Sequence, residues 1–291
     1  MRAFARHMTK RMKAVAAAGA VAAFWLAVWV LVAGLVAQPL ILPGPGAVVV
    51  ALLRLVCDAN TWAILVGSGA RILGGLALAA ICGGVLAGVS VRSRTFVRLV
   101  APALSFVKAT PVACVVVLLL IWLGSARVSI AAVFLMALPG VYFSLVEGLT
   151  QADKPLEQMF RLHGVRGWRL FCAHTWREVL PFVLSCARAV IGMSWKAGVA
   201  AELIGMATGT VGERIYQAKL LIETADLLAW TVLVVAASWA CERVLVWLLR
   251  VSGPAAWRVA VRAHGHGLRG RAGAASDSAA AELALAVGDR A

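Results

Sequence analysis

The sequence predicts an all-α, polytopic membrane protein built on six transmembrane helices. Three observations carry that prediction. The chain is 62% apolar and only 14% charged, against roughly 45–50% and about 25% in soluble domains. Six apolar runs are long enough to cross a bilayer, which takes ~20 residues. The basic residues gather at alternate connections between those runs.

Taken in order, the chain opens on a basic stretch over 1–14, with Arg2, Arg6, Lys10, Arg11 and Lys13. The first span, 15–37, is longer than the ~7–15 apolar residues of a signal-peptide core and reads as an uncleaved anchor. Leu42-Pro43-Gly44-Pro45-Gly46 marks a turn, and a short amphipathic helix over 47–57 follows at the outer surface. The second span, 64–89, carries Gly75, Ala79 and Gly83 at four-residue intervals and a Gly84/Gly88 pair, a face that lets helices approach closely. The third and fourth spans cover 103–123 and 129–149, with Pro111 and Pro139 as breaks in their hydrogen-bond ladders. The fifth and sixth cover 179–204 and 227–249. Between them, Gly209 to Gly212 forms a turn before a short charged helix at 213–218. This gives a membrane domain over 15–251 and a disordered tail over 252–291, rich in Ala, Gly and Arg.

A net charge of +15 invites a nucleic-acid reading, but no basic stripe or aromatic platform accompanies it. The charge is topogenic. With the N-terminus inside, nineteen Lys and Arg fall in inside segments and four (Arg54, Arg127, Arg214, Lys219) fall outside. The positive-inside rule therefore places both termini and the loop over 157–181 in the cytoplasm. The six cysteines show no metal-ligand spacing and read as packing residues.

That loop is the polar exception in the chain. Leu156, Met159 and Phe160 obey the i, i+3, i+4 rule, as do Trp168, Phe171 and Cys172, with Thr175 one turn on. Gly164 lies between the two sets, where a chain turns sharply. The pattern predicts helix, glycine turn, helix, lying along the membrane surface, with Pro181 opening the fifth span. On these residues alone, a docking element and an ordinary interfacial helix remain equal alternatives.

A resemblance separates them. Glu157-Gln158-Met159, then Gly164, then Val179-Leu180-Pro181 are similar to the EAA loop of bacterial ABC importer permeases. Gln158 and Met159 stand where that motif has alanines. Pro111, Ile121-Trp122-Leu123-Gly124 and Val199-Ala200-Ala201-Glu202-Leu203-Ile204 resemble the nitrate/sulfonate/taurine-type permeases, and the likeness covers roughly 42–249. It implies a type I importer bundle with a transmembrane core over about 60–249 and a coupling helix within 153–177. It also implies a separate cytoplasmic ATPase, an extracytoplasmic solute-binding protein, a permease homodimer and an inner-membrane location. Glu157, Arg161, Gly164 and Arg166 would contact the ATPase, and Pro181 would close the motif. No cofactor is implied. The chain itself has no GxxxxGK[ST] loop for nucleotide, so it is not expected to be the enzyme.

The remaining five basic residues, Arg71, Lys108, Arg188, Lys196 and Arg243, lie within or at the ends of spans, and of the charged residues there Lys108, Arg188, Lys196 and Glu202 stand out. Such residues are costly in lipid, about 2.5–3.5 kcal/mol for a basic residue at a helix centre, and are expected to face the bundle interior. Arg188, Lys196 and Glu202 are the candidates for the translocation path, where a basic lining suits a sulfonate or carboxylate. Snorkelling or structural pairing is the alternative. Two other functional classes remain: a stand-alone secondary transporter, which would show inverted repeats and midplane ion ligands, and a membrane scaffold, which needs no glycine-centred loop.

Overall fold

The computed structural model describes residues 2–252, without the side chains of 2–16 and 18. The tail expected to be disordered over 252–291 lies outside the described residues, Ser252 excepted. Among the described residues every regular element is helical. They run α1 Arg2–Val36, α2 Pro45–Cys57, α3 Ala59–Arg92, α4 Arg94–Ala109, α5 Val112–Leu123 and α6 Ser125–Gln151. Then follow α7 Lys154–Leu162, α8 Trp168–Leu170, a π-helical turn Phe171–Thr175, α9 Trp176–Gly205, α10 Val211–Leu220 and α11 Thr224–Ser252. Five stretches are long and apolar enough to cross a membrane, and a sixth arises if α4 and α5 are one broken span. The chain is thus an all-α, multi-pass protein.

Local chemistry explains most boundaries. Gly44 and Pro45 open α2, because a proline in the first turn loses no hydrogen bond. Asp58 accepts from the Asn60 amide at 3.1 Å and so marks the start of α3. Ser93 caps α4 through the Phe96 amide, and Gly124, at φ 71°, ends α5.

Two expectations are corrected here. The third span is not one helix: it breaks between Ala109 and Val112 with a bend of 102°. Thr110 is held extended (φ −73°, ψ 131°) because the ring of Pro111 disfavours a helical residue before it. Pro139, by contrast, sits inside an uninterrupted α6. The second correction concerns the loop. Its second half is not a separate surface helix; it runs from Trp168 through the π turn into α9 without interruption. Pro181 therefore lies inside α9 rather than opening the span.

The chain forms two compact units. Of the described residues, the first comprises 2–75, 111–133 and 195–239; the second comprises 76–110, 134–194 and 240–252. In the first, Ile72, Val116, Val128 and Val133 are fully buried. Gly75 lies so close to α6 that an added methyl group would meet the Ile130 carbonyl and Val133. Ser129 donates to the Gly198 carbonyl at 3.3 Å.

In the second unit, the small-residue face of α3 continues. Ala79 and Ala87 are fully buried, and a methyl group on Gly83 would stand 2.9 Å from Val141 Cγ1. Ser90 and Tyr142 share a 2.8 Å hydrogen bond, which satisfies both buried hydroxyls. The four-residue repeat read from the sequence is thus a packing face. Gly83→Leu is expected to cost about 1–3 kcal/mol through overpacking, measurable as an earlier thermal unfolding of the detergent-purified protein. The apolar part of α1, by contrast, has none of its side chains buried over Gly19–Val36, as suits a helix surrounded by lipid.

Candidate functional site

Two places concentrate polar side chains on defined geometry: the α7 loop, within the second unit, and the α9–α10 corner, within the first.

The loop is built around its turn. Asp153 starts α7 by accepting the Leu156 amide at 3.1 Å. At the other end, Gly164 has φ +77°. The Gly164 amide donates to the Arg161 carbonyl and the Val165 amide to the Phe160 carbonyl, both at 3.0 Å. This pair of bonds is the Schellman arrangement, which requires a left-handed residue where glycine stands. A second left-handed glycine, Gly167 (φ 60°, ψ −135°), opens the following helix.

Phe160 fastens α7 to the chain that follows. Its ring stacks on His174 with centroids 5.8 Å apart and 25° between planes, and it packs on buried Cys172 and Ala173. His174 is itself buried. The π turn carries it: the Trp176 amide reaches back to the Phe171 carbonyl. Such insertions re-aim side chains within a helix. On the outside, Met159, Leu162 and Trp168 are 57%, 86% and 72% exposed, and Trp168 stacks on Phe171. An apolar surface thus surrounds the glycine turn.

The residues singled out from the sequence fall into place unevenly. Glu157 and Arg161 pair with each other at 2.7 Å along α7, an exposed i, i+4 contact of about 0.3–0.5 kcal/mol. Arg166 and Pro181 are exposed. Sequence periodicity had marked Met159 and Phe160 as one stripe; the fold turns Phe160 inward and leaves Met159 out. The Phe160–His174 stack was not anticipated, although both side chains stood in the loop.

At the corner, Glu202 is the one candidate that is fully buried. Its Oε2 accepts the Ser68 hydroxyl at 2.9 Å and the Gly212 amide at 3.4 Å. Ser68 in turn accepts the Val211 amide at 3.0 Å. The carboxylate therefore faces the first turn of α10, where free amides and the helix dipole favour negative charge. Thr210 caps that helix through the Glu213 amide, and the Glu213 carboxylate accepts the Gly209 amide at 2.6 Å. Gly212 is indispensable to this approach, since a methyl group there would overlap the backbone of Glu202 and Leu203. Arg71 of α3, missed from the sequence, places Nη1 3.9 Å from Glu202 Oε1.

The basic candidates do not share that burial. Lys108, Arg188 and Lys196 all lie exposed on the surface of the single chain. Their long, strongly hydrated side chains have no carboxylate partner among the described residues, and α9 and α4 turn them outward.

Helices long and apolar enough to cross a membrane define the class: a multi-pass membrane protein. The chain belongs to the family of binding-protein-dependent transport system inner membrane components, whose profile matches residues 80–258. It is an inner-membrane permease of the ABC importer type. Among curated proteins it is similar to the putative aliphatic sulfonates transport permease protein SsuC of Bacillus subtilis. Identity there is 28% over 209 residues, covering 70% of this chain and 74% of the relative. The Escherichia coli protein of the same name is 27% identical over 187 residues, covering 63% and 70%. The bicarbonate transport system permease protein CmpB of Synechococcus elongatus is 23% identical over 184 residues, covering 62% and 65%.

Proposed function

We propose that this chain is the membrane-spanning subunit of an ATP-driven importer for a small oxyanion of the sulfonate or bicarbonate class. It is coupled to a separate cytoplasmic ATPase through the 153–177 loop. The observation that carries this reading is the exposed Met159, Leu162 and Trp168 surface around the Gly164 turn. Exposed apolar residues on a structured loop mark a partner surface, and the Phe160–His174 stack ties that surface to α9. Glu157, Arg161 and Arg166 supply rim charge that orients docking. Pro181 closes the motif within α9.

The family supports association with an extracytoplasmic binding protein, which hands over the solute; a second permease copy completes the path. Both termini lie in the cytoplasm in this topology. Lys196 and Arg188, exposed on α9, line the path and draw in the anion. Glu202 serves the path by holding the α9–α10 corner.

Co-expression with candidate ABC ATPases from the same organism tests the reading: the chain should purify as one complex with one of them. A chain that binds no such ATPase contradicts it. Within a working complex, Lys196→Ala is expected to lower uptake several-fold while leaving assembly intact; unchanged uptake would remove Lys196 from the path.

A further inference from the structure

Resting on the transport reading above, we propose that Arg71 is the contact in the path for the oxyanion head of the solute, and that Glu202 is its positioning residue. Arg71 lies in α3, a helix apolar and long enough to cross the membrane. Yet its side chain is 32% exposed rather than packed away. A guanidinium carries five donors and is always charged. No hydrogen bond to Arg71 is present among the described residues, and its Nη1 is buried without a hydrogen-bond partner. An arginine left so unsatisfied is stable in a membrane helix only where it meets water or a polar ligand.

Glu202 explains why the guanidinium stays where it is. Its Oε2 is occupied by Ser68 and Gly212, whereas Oε1 is buried without a hydrogen-bond partner. Oε1 faces Arg71 Nη1 at 3.9 Å. That separation is too long for a hydrogen bond but short enough for strong attraction. The carboxylate therefore orients Arg71 from the buried Nη1 side without a hydrogen bond, which leaves the guanidinium's other donors for the planar fork that sulfonate or carboxylate oxygens accept. The same negative charge weakens the grip on an anion. A transport site needs that compromise, because a solute bound too tightly would not leave.

The test reads access and transport separately. R71C is labelled in membrane vesicles with the sulfonate-bearing thiol reagent 2-sulfonatoethyl methanethiosulfonate, and modification is read at residue 71 by peptide mass spectrometry. L73C, on the same helix and 42% exposed, is the control for exposure alone. R71C/E202Q repeats the measurement with no charge left unpaired, in case R71C alone folds poorly. Residue 71 should react at least tenfold faster than residue 73. No reaction at 71 in either background, or equal reaction at 73, overturns the assignment.

In proteoliposomes holding the permease, its ATPase and its loaded binding protein, R71Q should lower uptake at least tenfold with the complex intact. R71K should restore part of it. Full uptake by R71Q overturns this inference alone. Absence of ATP-driven uptake by the wild type overturns the transport reading, and the inference with it.

Discussion

Gly164→Arg is expected to abolish association with the ATPase while the membrane helices stay folded. The reason lies in two properties of that position. Gly164 holds φ +77°, a conformation that costs roughly 1–2 kcal/mol for a residue with a Cβ. It is also open: a Cβ there meets nothing within 4 Å. Strain alone, as in Gly164→Ala, should loosen the turn and weaken coupling. Arginine adds a long charged side chain in the middle of the Met159, Leu162 and Trp168 surface, where a partner would have to bury it. Co-purification should therefore fall in the order wild type, Gly164→Ala, Gly164→Arg, with the last at background. Circular dichroism of Gly164→Arg should match the wild type, since Gly164 packs against nothing. Normal ATPase binding by Gly164→Arg would move the docking surface elsewhere.

Glu202→Ala should be the most destabilising single change at the corner, by about 3–5 kcal/mol. Removing the carboxylate leaves the Ser68 hydroxyl and the Gly212 amide without their acceptor in a fully buried pocket, and it leaves Arg71 without its counter-charge. Glu202→Gln keeps an acceptor oxygen and should cost less than half as much. The unfolding midpoint in detergent, followed by tryptophan fluorescence, measures the difference; Trp195 and Trp230 are buried reporters. A Glu202→Ala midpoint equal to the wild type would mean that the carboxylate holds nothing.

Much of the architecture was legible because it rests on composition and period. Runs of apolar residues gave the spans, and the four-residue repeat of Gly75, Ala79 and Gly83 gave a packing face. Asp153, Gly164 and Thr210 act through neighbours in sequence, so their turns and caps could be read locally. The misreadings had local causes as well. Pro181 resembles a helix start, but a π turn upstream lets the helix begin at Trp168 and run through it. Pro111 was seen as a break in the hydrogen-bond ladder, but not as the point where the span divides into two helices. The corner was legible only in part. Glu202 stood out as an acid among apolar residues, but Ser68 and Arg71 lie more than 130 residues away in the chain. Only the fold brings them together. Arg71 read as one more basic residue in a span.

In the proposed mechanism the permease moves solute only when another chain's ATP hydrolysis acts through the α7 loop. Uptake into proteoliposomes containing the permease, its ATPase and its loaded binding protein measures this most directly, with Phe160→Ala compared to the wild type. Phe160 is the inward anchor of the loop and lies off the exposed docking surface. The wild type should take up solute only with ATP. Phe160→Ala should keep the complex and its ATP hydrolysis but lose most uptake, because the loop no longer moves α9. Solute accumulation by the wild type without ATPase or ATP would rule this mechanism out.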